Sequence, residues 1–247
     1  VKPQGVTVEE VSDPHGLSLR WPRYVRQGVV LQAQESLVDY VNRFKGASTV
    51  LLADIATSTI VALIDYHAPN EDDPAGAAMA AHVAHRATLT LPLSEQWKLW
   101  KSVDGELMKQ LEFARFLEEN AADIETPDAG TVLDAVRDLQ ALRKVEFQST
   151  ARTASGNVNV EYVDQTDVTR KDGLEIPNRF ELRIPVYFEG ASCGLGAFLR
   201  HKVDDGKLLI GLKLQRPEEV RQAVFKEVVR AVGAATDRPV LYGKLGG

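Results

Sequence analysis

The stretch from Thr49 to Tyr66 reads TVLLADIATSTIVALIDY, and its reading decides the fold. Two apolar runs rich in β-branched residues, Thr49 to Ile55 and Thr59 to Tyr66, flank a short polar gap. That pattern predicts a β-hairpin. Each run is apolar on both faces of a strand, so the hairpin is expected to be covered on both sides. The stretch is also the most apolar in the chain. It contains Asp54 and the Thr57-Ser58-Thr59 turn, whereas a bilayer span needs about 20 nearly uninterrupted apolar residues, so no membrane span is expected.

Working outward, Gly28 to Gln32 reads as a strand leading into a helix from about Glu35, with Leu37, Val41 and Phe44 on one stripe and Gly46 at the end. Ala68 to Ala78, with Pro69, Pro74 and Gly76, reads as a loop before a third strand from about His82 to Leu91. Ser94 is placed to cap a helix on which Trp97 and Trp100 share a face. A second helix is expected from about Glu106 to Asn120, with Leu107, Leu111, Ala114 and Leu117 as its stripe. A third starts at Thr126-Pro127, with Val132, Val136 and Leu139 inward.

From Lys144 the pattern changes to strands. Lys144 to Thr153, Asn157 to Gln165, Arg179 to Phe188, Gly194 to Val203 and Lys207 to Gln215 predict a five-stranded antiparallel meander. Pro217 opens a helix to about Gly233, with Val220, Val224, Val228 and Val232 on one face, and a short strand follows at Val240 to Tyr242. The fold class expected is therefore α+β: an N-terminal hairpin plus third strand, a C-terminal five-stranded meander, and about five helices. The expected organisation is a poorly patterned segment over 1–27, an α+β part over 28–143 and a sheet-rich part with one long helix over 144–247, packed as one unit.

Composition narrows the function classes. The chain has 247 residues, 44% hydrophobic and 26% charged, which is ordinary for a globular protein. A chain of this size buries roughly three quarters of its unfolded surface and needs no disulfide or metal to fold. Its single cysteine, Cys193, rules out an internal disulfide and fits a reducing compartment. The net charge of −6 disfavours a protein that coats nucleic acid, which works by neutralising phosphates, and disfavours nonspecific adhesion to membranes. The chain begins at Val1 rather than Met, so a leading segment is expected to be absent from it. No basic start followed by an apolar run predicts a signal peptide.

Asp54, Asp65, His67, His82 and His85 form the most chemically suggestive cluster. Asp65 and His67 are two apart on a strand and leave the same face. Asp54 lies near the hairpin turn and is a candidate to approach Asp65. Carboxylates and imidazoles together hold zinc, manganese or iron, and a His–Asp pair can serve as base and orienter. Asp65, His67 and His85 are thus candidate catalytic residues, and with Asp54 candidate metal ligands. The competing reading is a satisfied core pair, and the spacing matches neither His-Glu-x-x-His nor Cys-x-x-Cys. No cofactor is predicted.

Other motifs carry less. Trp97 and Trp100 are residue types that stack on bases, but helical spacing beside Leu93 and Leu99 predicts core. Arg143, Lys144, Arg152, Arg170, Lys171, Arg179 and Arg183 make a basic stripe interleaved with Glu146, Glu161, Asp164 and Glu181, so nucleic-acid binding is a possible but unfavoured role. Cys193-Gly-Leu-Gly-Ala197 lacks the third glycine of a nucleotide loop and leads into a strand, so its glycines mark a bulge or a close backbone approach.

Taken in order, Asp65-Tyr66-His67, His85, Trp97-x-x-Trp100, Phe113-Ala-Arg-Phe-Leu-Glu-Glu-Asn120, Ile176-Pro177-x-x-Phe180 and Pro239-Val240 resemble the YfdQ-like family of bacteriophage and prophage proteins, a domain of unknown function. The resemblance covers the chain from about Gly28 onward. It implies a phage or prophage origin and a bacterial cytoplasm, and it supplies no reaction and no site residues. With no coherent catalytic motif and an apolar two-faced hairpin, the expected function is non-enzymatic self-assembly into a homo-oligomer, the partner being the chain itself. The alternatives are a metal-dependent hydrolase or nuclease using the Asp/His cluster, and a nucleic-acid accessory factor in phage recombination or replication.

Overall fold

A computed structural model describes residues 27–68, 79–80, 83–139, 178–204 and 207–246. The chain divides into two compact units. Unit 1 comprises Val1–Leu91 and Phe225–Gly247, and unit 2 comprises Pro92–Val224. The break expected near Lys144 lies outside the described residues. The architecture is α+β, with two sheets of five strands in which antiparallel pairs dominate.

Unit 1 holds strand β1 (Gly28–Leu31), helix α1 (Gln34–Phe44), β2 (Val50–Asp54), β3 (Thr59–Leu63), the short pair β4 (His67–Ala68) and β5 (Met79–Ala80), and β6 (Arg86–Thr90). It is completed by β12 (Val240–Tyr242) and by the later part of helix α5 (Pro217–Thr236), whose first turns belong to unit 2. The sheet order is β1-β6-β3-β2-β12. The hairpin expected from the sequence is present: β2 and β3 are antiparallel, with Asp54 opposite Thr59. β1 runs parallel to β6, and β12 runs parallel to β2.

The register sorts the side chains of this sheet onto two faces. Ala53, Ile60 and Leu89 line up on one face, as do Leu51, Ala62 and Ala87, and all six are buried. The opposite face carries Leu52, Val61 and Thr88, which are only partly buried. Both faces of the hairpin are therefore covered, as expected, the second less completely: Leu63 on it is fully buried, and Leu52 and Val61 are half-buried. Helix α1 packs on β1 and β6 and fully buries Leu37 and Val41. Its third stripe residue, Phe44, remains 37% exposed. The end of α5 is tied to α1 by hydrogen bonds from Asn42 Nδ2 to the Ala235 carbonyl (3.1 Å) and from Lys45 Nζ to that of Thr236 (2.6 Å).

Unit 2 is built on the antiparallel sheet β7-β11-β10-β9-β8: β7 (Leu107–Lys109), β8 (Ile124–Thr126), β9 (Arg179–Pro185), β10 (Ser192–Asp204) and β11 (Lys207–Leu214). The last three are the final strands of the expected meander, and its first two lie outside the described residues. The flanking strand β7 comes instead from a segment read as helical, and β8 from the gap between the second and third expected helices. Helix α3 accordingly spans Gln110–Glu119, not 106–120, and Leu107 sits on a strand. Its inward stripe becomes Phe113, Ala114 and Leu117, and Leu111 is left exposed. Ser94 caps α2 (Glu95–Ser102), its Oγ accepting from the Trp97 N–H at 3.0 Å. Helix α4 covers residues 129–139, with Val132, Val136 and Leu139 inward as expected. In α5 Phe225, Val229, Val232 and Thr236 are buried; of the expected series only Val232 is fully inward, while Val220, Val224 and Val228 are half-buried beside it.

Among the described residues, no helix is long and apolar enough to cross a membrane.

Candidate functional site

Asp65 and His85 meet at one end of the unit 1 sheet. Asp65 follows β3 and His85 immediately precedes β6. The two segments are laced together by the Ile64 N–H, which donates to the His85 carbonyl at 3.0 Å. The Asp65 carboxylate then caps the incoming backbone: Oδ1 accepts from the His85 N–H at 2.9 Å and Oδ2 from the Ala84 N–H at 3.0 Å. The cap holds a bend in which Val83 has φ +53°, a conformation a β-branched residue adopts only under constraint.

His85 is 6% exposed, and its ring forms a triangle with Tyr40 and Phe44 of α1, which meet it edge-on at centroid distances of 5.7 and 5.2 Å. Its Nε2 shares a hydrogen bond of 2.8 Å with the Tyr40 hydroxyl. Burial lowers the pKa of His85 below the ordinary histidine value, against the opposing pull of the Asp65 charge. A neutral imidazole against a phenol can relay a proton. Here the ring meets two aromatic side chains, and the half-buried Asp65 carboxylate is engaged by two backbone N–H groups.

The other candidates do not join this pair. Asp54 faces Thr59 at the turn end of the hairpin, whereas Asp65 lies beyond the far end of β3, so a strand's length on the order of 15–20 Å separates them. Asp54 Oδ1 instead accepts from the Ala56 N–H at 2.9 Å and shapes the turn. His67 lies on β4, in register with Ala80. His82 lies outside the described residues. Among the described residues, no group of three or more His, Cys, Asp or Glu side chains is arranged to hold a metal ion.

The remaining motifs are structural. Trp97 and Trp100 are both buried. The Trp100 Nε1–H donates to Asp123 Oδ2 at 2.7 Å, and its ring packs at 5.0 Å from Phe116 and 6.3 Å from Phe180. Arg179 pairs with Glu181 at 2.9 Å and Arg183 with Glu125 at 3.5 Å; the other members of the basic stripe lie outside the described residues. Gly196 is a close-approach glycine: a Cβ there would lie 2.6 Å from Gln215 Oε1.

Sequence reading missed a second polar knot in unit 2. The Asp104 side chain is 6% exposed and accepts from the Leu214 N–H (3.0 Å), from Lys213 Nζ (3.0 Å) and from Lys101 Nζ (3.2 Å). Burial alone would raise this carboxyl. The Leu214 N–H and the two ammonium groups outweigh it and hold Asp104 below the ordinary carboxylate value. It missed Tyr40 as well, because a helix residue 45 positions from its histidine leaves no local signal.

An α+β protein built on two five-stranded sheets, with a buried histidine set against a half-buried tyrosine and aspartate, is the class that these features define. The chain belongs to the uncharacterized conserved protein family DUF2303, whose family model matches residues 2–245. No curated protein and no solved structure matches it.

Proposed function

We propose that the protein is a non-enzymatic, self-assembling homo-oligomer with a structural or scaffolding role. One row of side chains carries this reading. Val30, Thr88, Val61, Leu52 and Leu241 lie in register across the less buried face of the unit 1 sheet, from one outer strand to the other. Its two ends are its most exposed members, Val30 at 72% and Leu241 at 54%. The three residues between them are half-buried, so the exposed apolar surface lies at the two outer strands, and strand edges are templates for association. Light scattering of the purified protein across a dilution series is expected to give a multiple of the 27.2 kDa chain mass that resists dilution. A monomer at micromolar concentration would overturn the reading.

The alternative, a metal-dependent hydrolase or nuclease, draws on the proximity of Asp65 and His85. It requires stoichiometric metal in the purified protein and loss of that metal in His67→Ala without unfolding. A nucleic-acid accessory role is less favoured, since Arg179 and Arg183 are already paired with acids. The likeness to YfdQ-like proteins supports a phage or prophage origin and a bacterial cytoplasm as part of the same proposal.

A further inference from the structure

Among the described residues, β1 and β12 are the two outer strands of the unit 1 sheet, and their directions are fixed by their neighbours. β1 is parallel to β6, β6 antiparallel to β3, β3 antiparallel to β2, and β2 parallel to β12. Two reversals cancel, so β1 and β12 point the same way at opposite edges. A sheet with like-directed outer strands can be extended by a translated copy of itself, and the joint is then one more parallel pair.

The details of the two edges agree with such a joint. The residues of a strand bond alternately to its two sides. The Arg86 N–H donates to the Gln27 carbonyl and the Gly243 N–H to the Ala53 carbonyl, so Gln27 and Gly243 bond inward. By alternation Gly28 and Val30 present their backbone groups outward on β1, as do Val240 and Tyr242 on β12. Setting Leu241 beside Val30 lets the outward N–H and C=O groups of Val240 and Tyr242 meet those of Gly28 and Val30. The same register keeps Leu241 and Val30 on one face, so the two exposed apolar side chains meet at the joint.

Charge fits too. The Arg86 side chain crosses Gly28, where a Cβ would lie 3.6 Å from its Cγ and Nε, and so reaches the β1 edge. In this register Asp237, three residues ahead of β12, lies toward the Arg86 end of the joint. Arg238 is held within its own chain, its Nη2 donating to the Gly46 carbonyl at 3.0 Å.

Resting on the self-assembly reading, we propose that copies of this chain join head to tail, with β12 of one copy pairing in parallel with β1 of the next. A single contact of this kind covers both exposed ends of the row, whereas a two-fold contact of β12 with β12 would leave Val30 bare. Head-to-tail contacts propagate into a ring or a filament.

The test uses edge-blocked full-length chains. Proline is tolerated on an outer strand where its missing N–H faced outward. Val30→Pro blocks the β1 edge and Tyr242→Pro the β12 edge, and Val30→Lys and Leu241→Lys do so without touching the backbone. Circular dichroism first selects the variants that keep the native melting curve. Light scattering is expected to show each blocked variant alone as a monomer and an equimolar mixture of the two as a dimer, because each still owns one good edge. If the β1-blocked variant alone dimerises, or if both assemble like the parent chain, the head-to-tail joint is wrong while self-assembly stands. If the parent chain is itself monomeric, both fall.

Discussion

The Tyr40 hydroxyl stands 2.8 Å from Nε2 of His85, fastening the later part of α1 to the residue just before β6. The fastening works with a neutral ring. Because His85 has its pKa lowered in the fold, protons bind the unfolded chain more readily near and below pH 6.5. Stability from this group is fully present above that value and is lost as pH falls toward the lowered folded pKa. Urea denaturation at pH 7.5 and pH 5 is expected to show the decline, and in His85→Gln the decline in this window shrinks. An unchanged pH profile in the variant would remove His85 as its source.

Asp65 is expected to matter through the backbone it caps. Asp65→Ala removes two hydrogen bonds from the part-buried N–H groups of Ala84 and His85 to a charged acceptor, a loss of about 1–3 kcal/mol. Hydrogen exchange at these two amides should accelerate in the variant ahead of the rest of the sheet. Equal protection in both proteins would show that Asp65 does not hold the bend.

Gly211 faces Glu106 so closely that a Cβ would lie 1.9 Å from its carbonyl oxygen. Gly211→Ala must push β7 off β11, and overpacking of this kind costs about 1–3 kcal/mol or more. Gly194→Ala on β10 meets nothing within 4 Å and is expected to stay within about 0.5 kcal/mol of the parent. Thermal melts of the pair separate a steric role for Gly211 from a general intolerance of the sheet.

Asp104 sets a lower acid limit. Its carboxylate is stabilised in the fold, so its contribution holds above the unfolded value of 3.8 and is lost as pH falls through the lowered folded value. Asp104→Asn should therefore destabilise at pH 7 and flatten the acid limb below pH 4, while the His85 decline at higher pH persists. Retention of the full acid limb in Asp104→Asn would assign it to other carboxylates.

The periodic parts of the fold were legible from the sequence because local chemistry decides them. The Thr49–Tyr66 hairpin, the Ser94 cap and the Val132/Val136/Leu139 stripe each rest on residues a few positions apart. Leu107–Lys109 was misread as helix because its strand character comes from pairing with Leu209–Gly211, a hundred residues later, and not from its own pattern. The Asp54–Asp65 approach failed for a related reason: a hairpin brings its strands together side by side but keeps a turn residue and a residue beyond the strand's far end apart. Asp65 with His85 was legible as residue types and not as geometry, since its hydrogen bonds run to main-chain N–H groups that no sequence motif encodes.

The parallel pairing of β12 with β2 also bears on how the chain is made. All of unit 2 is translated between these two strands, roughly ten to thirty seconds of synthesis at usual rates. Through that interval the nascent chain carries β2 with its outer edge unpaired. Unit 2, one unbroken stretch, can fold while the first sheet waits for its fifth strand. An arrested ribosome complex stopped before Val240 would thus present an edge that the finished protein hides, and that is the moment at which two neighbouring nascent chains are most exposed to pairing wrongly.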